Sequence, residues 1–117
     1  FMKMKIKINL FLLFCLIVCI VSCTKDKTSV CDIDPSFAVD VQPFFDMYCV
    51  TCHESNSSSG GVVLNDYNAV YSHINSSISE IEQGTMPPYG MPSPATSEKD
   101  SILEILNCWV SMGKKDN

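Results

Sequence analysis

The 117-residue chain has no arginine, and its 8 lysines face 13 aspartates and glutamates, for a formal charge of −5. A nucleic-acid binder needs a basic face to neutralise phosphates, so this balance excludes that class. There is no apolar run of the length that makes a permanent transmembrane helix. The longest, Ile8 to Val21, is about 14 residues and is interrupted by Asn9, where roughly 20 are needed to span a bilayer. No internal repeat is present, and the length is too small for a two-domain enzyme. The chain is not a disordered tail either, because 46% of its residues are apolar. Cysteine is in excess: seven residues, which call for export, a metal, a cofactor or disulfides as the explanation.

Lys3, Lys5 and Lys7 followed by the apolar run form the charged and hydrophobic regions of a secretory signal. The run closes on Ile20-Val21-Ser22-Cys23, which resembles a bacterial lipobox: an apolar residue, two small or apolar residues, then the cysteine that takes the lipid and becomes the new N-terminus. An uncleaved N-terminal anchor is the alternative. The expected organisation is a lipoprotein signal peptide over 1–22, a lipid-anchored tether over 23–36 and a folded domain over 37–117. The expected place is outside the cytoplasm, on a bacterial membrane facing periplasm or exterior. Without the leader, five lysines remain against thirteen acids, a formal charge near −8, and five cysteines remain: Cys23, Cys31, Cys49, Cys52 and Cys108. A domain this small builds a thin core, which a covalent cofactor or a disulfide reinforces.

Phe37, Val41, Phe44, Phe45 and Tyr48 have helical spacing. Pro43 is tolerated only near a helix start, so the regular part is expected from about Val41 or Gln42. Residues 54–61 read as a flexible loop and Val62–Leu64 as a short extended piece. Asn65 or Asp66 can cap a short helix to about Ile74, and Ser76 or Ser77 can start another, with Ile78 and Ile81 inward, ending at Gly84. The four prolines of 85–95 exclude helix there. Ser97 with Asp100 has the form of a capping box for a last helix striped by Ile102, Leu103, Ile105, Leu106, Trp109 and Val110. Gly113 suits its end, and Lys114 and Lys115 suit its negative pole. The expected fold class is all-α, with little or no strand.

Cys49-Val50-Thr51-Cys52-His53 is a C-x-x-C-H sequence, the spacing of c-type haem attachment. Two thiols three positions apart on a turn reach the two vinyl groups along one haem edge and form thioethers. The next residue then offers its imidazole to the iron. Three other readings of the same residues stand beside this one. The cysteines could form a structural disulfide. They could be a thioredoxin-like redox pair, which needs a βαβ context that the pattern lacks. Or they could bind zinc with His53 and a fourth ligand from Cys108, Cys31 or His73.

The segment VQPFFDMY leading into CVTCHES, the following GGVVLNDYNAVYSHI, then GTMPP and the closing SILEILNCWVSMG together resemble a small class I cytochrome c domain of exported bacterial lipoproteins, over about residues 37–113. The resemblance implies a fold of three to five helices wrapped round one covalent haem c, with Cys49 and Cys52 as the thioether positions and His53 as proximal iron ligand. It implies a methionine on the far side: Met86, before Pro87-Pro88, is the first choice and Met91, before Pro92, the second, while His73 would make a bis-His site. Phe44, Phe45, Tyr48, Leu106 and Trp109 are the implied haem wall, and Tyr67, Tyr71 and Tyr89 candidates for the propionates. Packing of first and last helices, as in the family, would let Cys31 meet Cys108 in a disulfide, which export favours. The implied function is a membrane-tethered single-haem electron carrier and not an enzyme, docking redox proteins that present a basic face. A haem-based sensor or small-ligand module with an open distal site is the alternative. A zinc- or disulfide-stabilised surface-binding lipoprotein is another.

Overall fold

Ser36 opens the first helical segment. Its hydroxyl accepts the Val39 N–H at 3.4 Å, and its own N–H donates to the Asp40 carboxylate at 2.8 Å. A π-helical turn, Phe37–Val41, then runs into α1, Gln42–Tyr48, with Pro43 in the first turn, where its missing N–H costs nothing. The computed structural model describes residues 31–117. The expected signal peptide, the expected lipid acceptor Cys23 and most of the expected tether lie outside the described residues.

After α1 the chain turns through the cysteine motif into a short antiparallel hairpin, β1 (His53–Glu54) and β2 (Ser57–Ser58). His53 lies opposite Ser58 and Glu54 opposite Ser57. This corrects the expectation of a flexible loop over 54–61. The serine-rich composition conceals a two-residue reversal at Ser55-Asn56, whose Ser55 hydroxyl accepts from the Asn65 side-chain amide at 3.1 Å. A 3-10 turn, Ser59–Gly61, completes the excursion.

The two short helices expected after Asn65 are one helix, α2, Tyr67–Gln83. Val70, Ile74, Ile78 and Ile81 keep a single buried stripe at spacings of four and three. That stripe carries the helix through Asn75-Ser76-Ser77, whose turn tendency is a weaker local effect. Asp66 is the cap, its carboxylate accepting the Ala69 N–H at 2.9 Å, and Gly84, at φ +71°, is the left-handed stop. We expect Asp66→Ala to cost about 1 kcal/mol, the usual value of such a cap, read as a lower midpoint in urea. An unchanged midpoint would remove the cap from the account.

The last helix, α3, spans Thr96–Ser111. Its N-cap is Ala95, which has no side-chain bond to give, so Ser97 and Asp100 do not form the expected capping box. Ser97 lies inside the first turn, its carbonyl accepting the Ser101 hydroxyl at 3.1 Å. The protein is thus mostly helical, with the small hairpin as its only sheet among the described residues.

α2 packs on α3, and α3 on the π-helical turn. Trp109 is buried at this junction, 5.7 Å from the Phe37 ring and 6.2 Å from that of Tyr67, with its indole N–H donating to the Lys115 carbonyl at 2.9 Å. The tail folds back over the same end: the Asn117 carbonyl accepts from the Ala38 N–H at 3.0 Å and from the Ser36 hydroxyl at 2.6 Å. A disulfide joins Cys31 to Cys108, with Cα atoms 5.5 Å apart. Among the described residues no helix is long and apolar enough to cross a membrane.

Candidate functional site

The end of α1 delivers the C-x-x-C-H residues onto a tight turn. The Cys49 carbonyl, freed at the helix terminus, accepts both the Cys52 N–H at 3.1 Å and the His53 N–H at 3.0 Å. His53 is then held by its neighbours on both sides. Its carbonyl accepts the Leu64 N–H at 2.7 Å, and the hairpin pairs it with Ser58. The imidazole Nδ1 lies 3.1 Å from the Val62 carbonyl oxygen. A carbonyl can only accept, so Nδ1 carries a proton, and in the neutral imidazole the lone pair is on Nε2. The extended piece around Val62 therefore sets the ring's tautomer.

Cys49 and Cys52 are both free thiols, half-buried. Burial pushes the Cys49 thiol up to about 12, so it stays protonated through the neutral range. Reactive redox cysteines show the opposite shift, which speaks against a thioredoxin-like pair. Cys31 and Cys108 are bonded to each other and so are not free as zinc ligands. Among the described residues no group of three or more His, Cys, Asp or Glu side chains is placed to hold a metal ion.

Cys49, Cys52 and His53 line one cavity of about 510 Å³, within the range of roughly 300–1,000 Å³ usual for cofactor and ligand sites. The rest of its wall comes from the end of α1, from the turn and extended piece around residues 59–64, from α2 and from the proline-rich loop. Val62, Leu64, Ile81, Pro87, Pro88 and Pro92 make it largely apolar. All three residues considered as distal ligand, Met86, Met91 and His73, line it. The start of the loop is tied to the end of α2, where the Glu80 carbonyl accepts the Thr85 N–H at 3.0 Å and the Met86 N–H at 3.3 Å. The Thr85 hydroxyl also bonds the Glu80 carboxylate.

Of the five residues expected to wall the pocket, Tyr48 lines the cavity. Its hydroxyl donates to the Glu98 carboxylate at 3.1 Å. Removal from water, reinforced by that bonded carboxylate, holds the phenol above the ordinary tyrosine range. Phe44, Phe45, Leu106 and Trp109 belong instead to the buried core cluster and are not in the cavity wall. Helical spacing identifies them as inward-facing, but they are buried in the core cluster, which also holds Val70, Ile74, Ile78 and Ile81 of α2. None of the three tyrosines considered for propionates lines the cavity. Tyr67 donates to the Lys114 carbonyl at 2.8 Å, Tyr71 lies under the Lys114 ammonium at 3.5 Å, and Tyr89 is fully exposed. Sequence reasoning missed the α2 contribution: Ser77 and Glu80 share the cavity wall with His73. Their spacing of four and three is the available signal, since it puts all three on one helix face.

No protein-family model matches the chain, and neither a curated protein nor a solved structure matches it.

Proposed function

We propose that this chain carries one covalent haem c and serves as a membrane-tethered electron carrier outside the cytoplasm. One observation carries the reading: two free thiols and an imidazole whose Nδ1 is engaged by the Val62 carbonyl share one largely apolar cavity with three methionine thioethers, Met47, Met86 and Met91. That donor set fits a c-type haem. Cys49 and Cys52 would hold it by adding S–H across its vinyl double bonds, and His53 Nε2 would ligate its iron. When bound, such a haem supplies a one-electron Fe(III)/Fe(II) couple. The Val62 carbonyl orients the His53 ring. A thioether as sixth ligand favours a higher potential than a second imidazole would. The largely apolar wall would lower the dielectric around a bound haem.

The Cys31–Cys108 disulfide supports a location outside the reducing cytoplasm. The excess of acids over lysines favours a partner with a basic docking face and an association rate that falls with salt. The test is the full chain expressed with haem-attachment machinery and exported. The expected protein is red, heavier by one haem, and has a low-spin c-type spectrum when reduced. Carbon monoxide leaves that spectrum nearly unchanged for a carrier and alters it strongly for a ligand sensor. Colourless protein with the bare-chain mass overturns the haem reading.

A further inference from the structure

The proline-rich loop offers the cavity two thioethers in nearly equivalent settings. Met86 and Met91 both line the wall, are 41% and 39% exposed, and each precedes a proline. A tight turn brings the second back toward the first. The Met91 N–H donates to the Pro88 carbonyl at 3.1 Å, and Gly90, third in that turn, has φ +88°. This is the sign that a type II turn demands at that position, so the reversal is built into the sequence Pro-Tyr-Gly-Met. Each methionine is also held by its own local bonds. The Met86 N–H is tied to Glu80 at the end of α2, while the Met91 carbonyl accepts the Ser93 hydroxyl at 3.0 Å. The two thioethers are almost equally exposed, and although only Met86 is tied to a helix, both are held where they line the same wall.

Resting on the haem reading, we infer that Met86 and Met91 are interchangeable distal ligands, each occupying the same iron position for part of the time. Met side chains suit such exchange, being unbranched with three rotatable bonds. The consequence is a sixth position that stays filled when either half of the loop moves away.

Mass action makes this measurable. Two ligands of similar strength halve the fraction of open sites relative to one, and the apparent affinity of an external ligand scales with that fraction. In the ferric holoprotein, Met86→Leu and Met91→Leu should each tighten apparent cyanide binding about twofold, and each should keep the weak red charge-transfer band of methionine-ligated iron. The double variant should lose the band and bind cyanide more tightly by the whole factor that the methionines had suppressed. Leucine keeps the apolar volume, so the loop is not emptied. If one single variant loses the band while the other binds cyanide like the parent, there is one ligand and the exchange is wrong. If the double variant keeps the band, neither methionine is the ligand and the exchange is also wrong. Failure of the parent chain to take up haem at all is a different result, a colourless protein, and removes the underlying reading with it.

Discussion

A chain carrying Cys31→Ser and Cys108→Ala should unfold in denaturant with about 2–5 kcal/mol less stability than its parent. The bridge spans a sequence separation of 77 residues. Closing a loop of that length removes about 4.5 kcal/mol of chain entropy from the unfolded state in the simple closure estimate, at the upper end of what native disulfides deliver in small secreted domains. Total stabilities of such domains are about 5–15 kcal/mol, so the bridge is a large share. Besides the bridge, the segment before the π-helical turn is held by the burial of Pro35, the Ser36 hydrogen bonds and one ion pair. The Lys115–Asp34 pair, at 2.6 Å, has both side chains well exposed to water and belongs to the class worth at most about 1 kcal/mol. The bridge also brings Phe37 to the Trp109 junction, where the tail closes over both. Alanine is the right replacement at 108 because that position is buried and a serine hydroxyl would add its own desolvation cost. Guanidinium titrations of parent and variant decide it. Equal midpoints would mean that the tail hydrogen bonds and the Phe37 packing suffice.

The parts of this fold legible in the sequence are those where one physical signal acts alone. Pro43 marks the start of α1 because a residue without an N–H fits only the first turn. The stripe ending at Trp109 and Val110 marks α3, and Asp66 and Gly84 mark the ends of α2. Where two signals compete, the tertiary one wins. Asn75-Ser76-Ser77 reads as a break, yet Ile74 and Ile78 are both buried on either side of it, and burial of that face outweighs the local preference of polar residues for turns. The same limit applies to the expected pocket wall. Periodicity separates inside from outside, but it does not say which inside. Leu106 and Trp109 face the α2–α3 core, whereas the cavity takes Ser77 and Glu80, residues whose polarity reads as a solvent-facing strip. That Cys49, Cys52 and His53 lie together is legible because C-x-x-C-H is a local spacing, and all three line one cavity. The role of Val62 is not legible, since a backbone carbonyl nine residues away has no sequence signature.

Replacing Cys49 and Cys52 together by alanine should abolish covalent haem: no haem stain on a denaturing gel, and a mass equal to that of the bare exported chain. Replacing His53 by alanine should do something different. Both thiols remain, so any haem attached stays on the chain through denaturation, but the native protein loses the low-spin spectrum that an imidazole ligand confers. The two variants therefore separate attachment from ligation, which a single loss-of-colour result does not. The contrast follows from how the residues are held. The thiols are half-buried and unpaired, and burial keeps Cys49 protonated, which disfavours thiolate metal binding at that residue. His53 is clamped through its backbone by Leu64 and through Nδ1 by Val62, which leaves one nitrogen for one ligand bond. Full haem stain in the cysteine-free variant would put attachment elsewhere. An unchanged low-spin spectrum in His53→Ala would hand the proximal role to another side chain, with His73, which lines the same cavity, the first to examine.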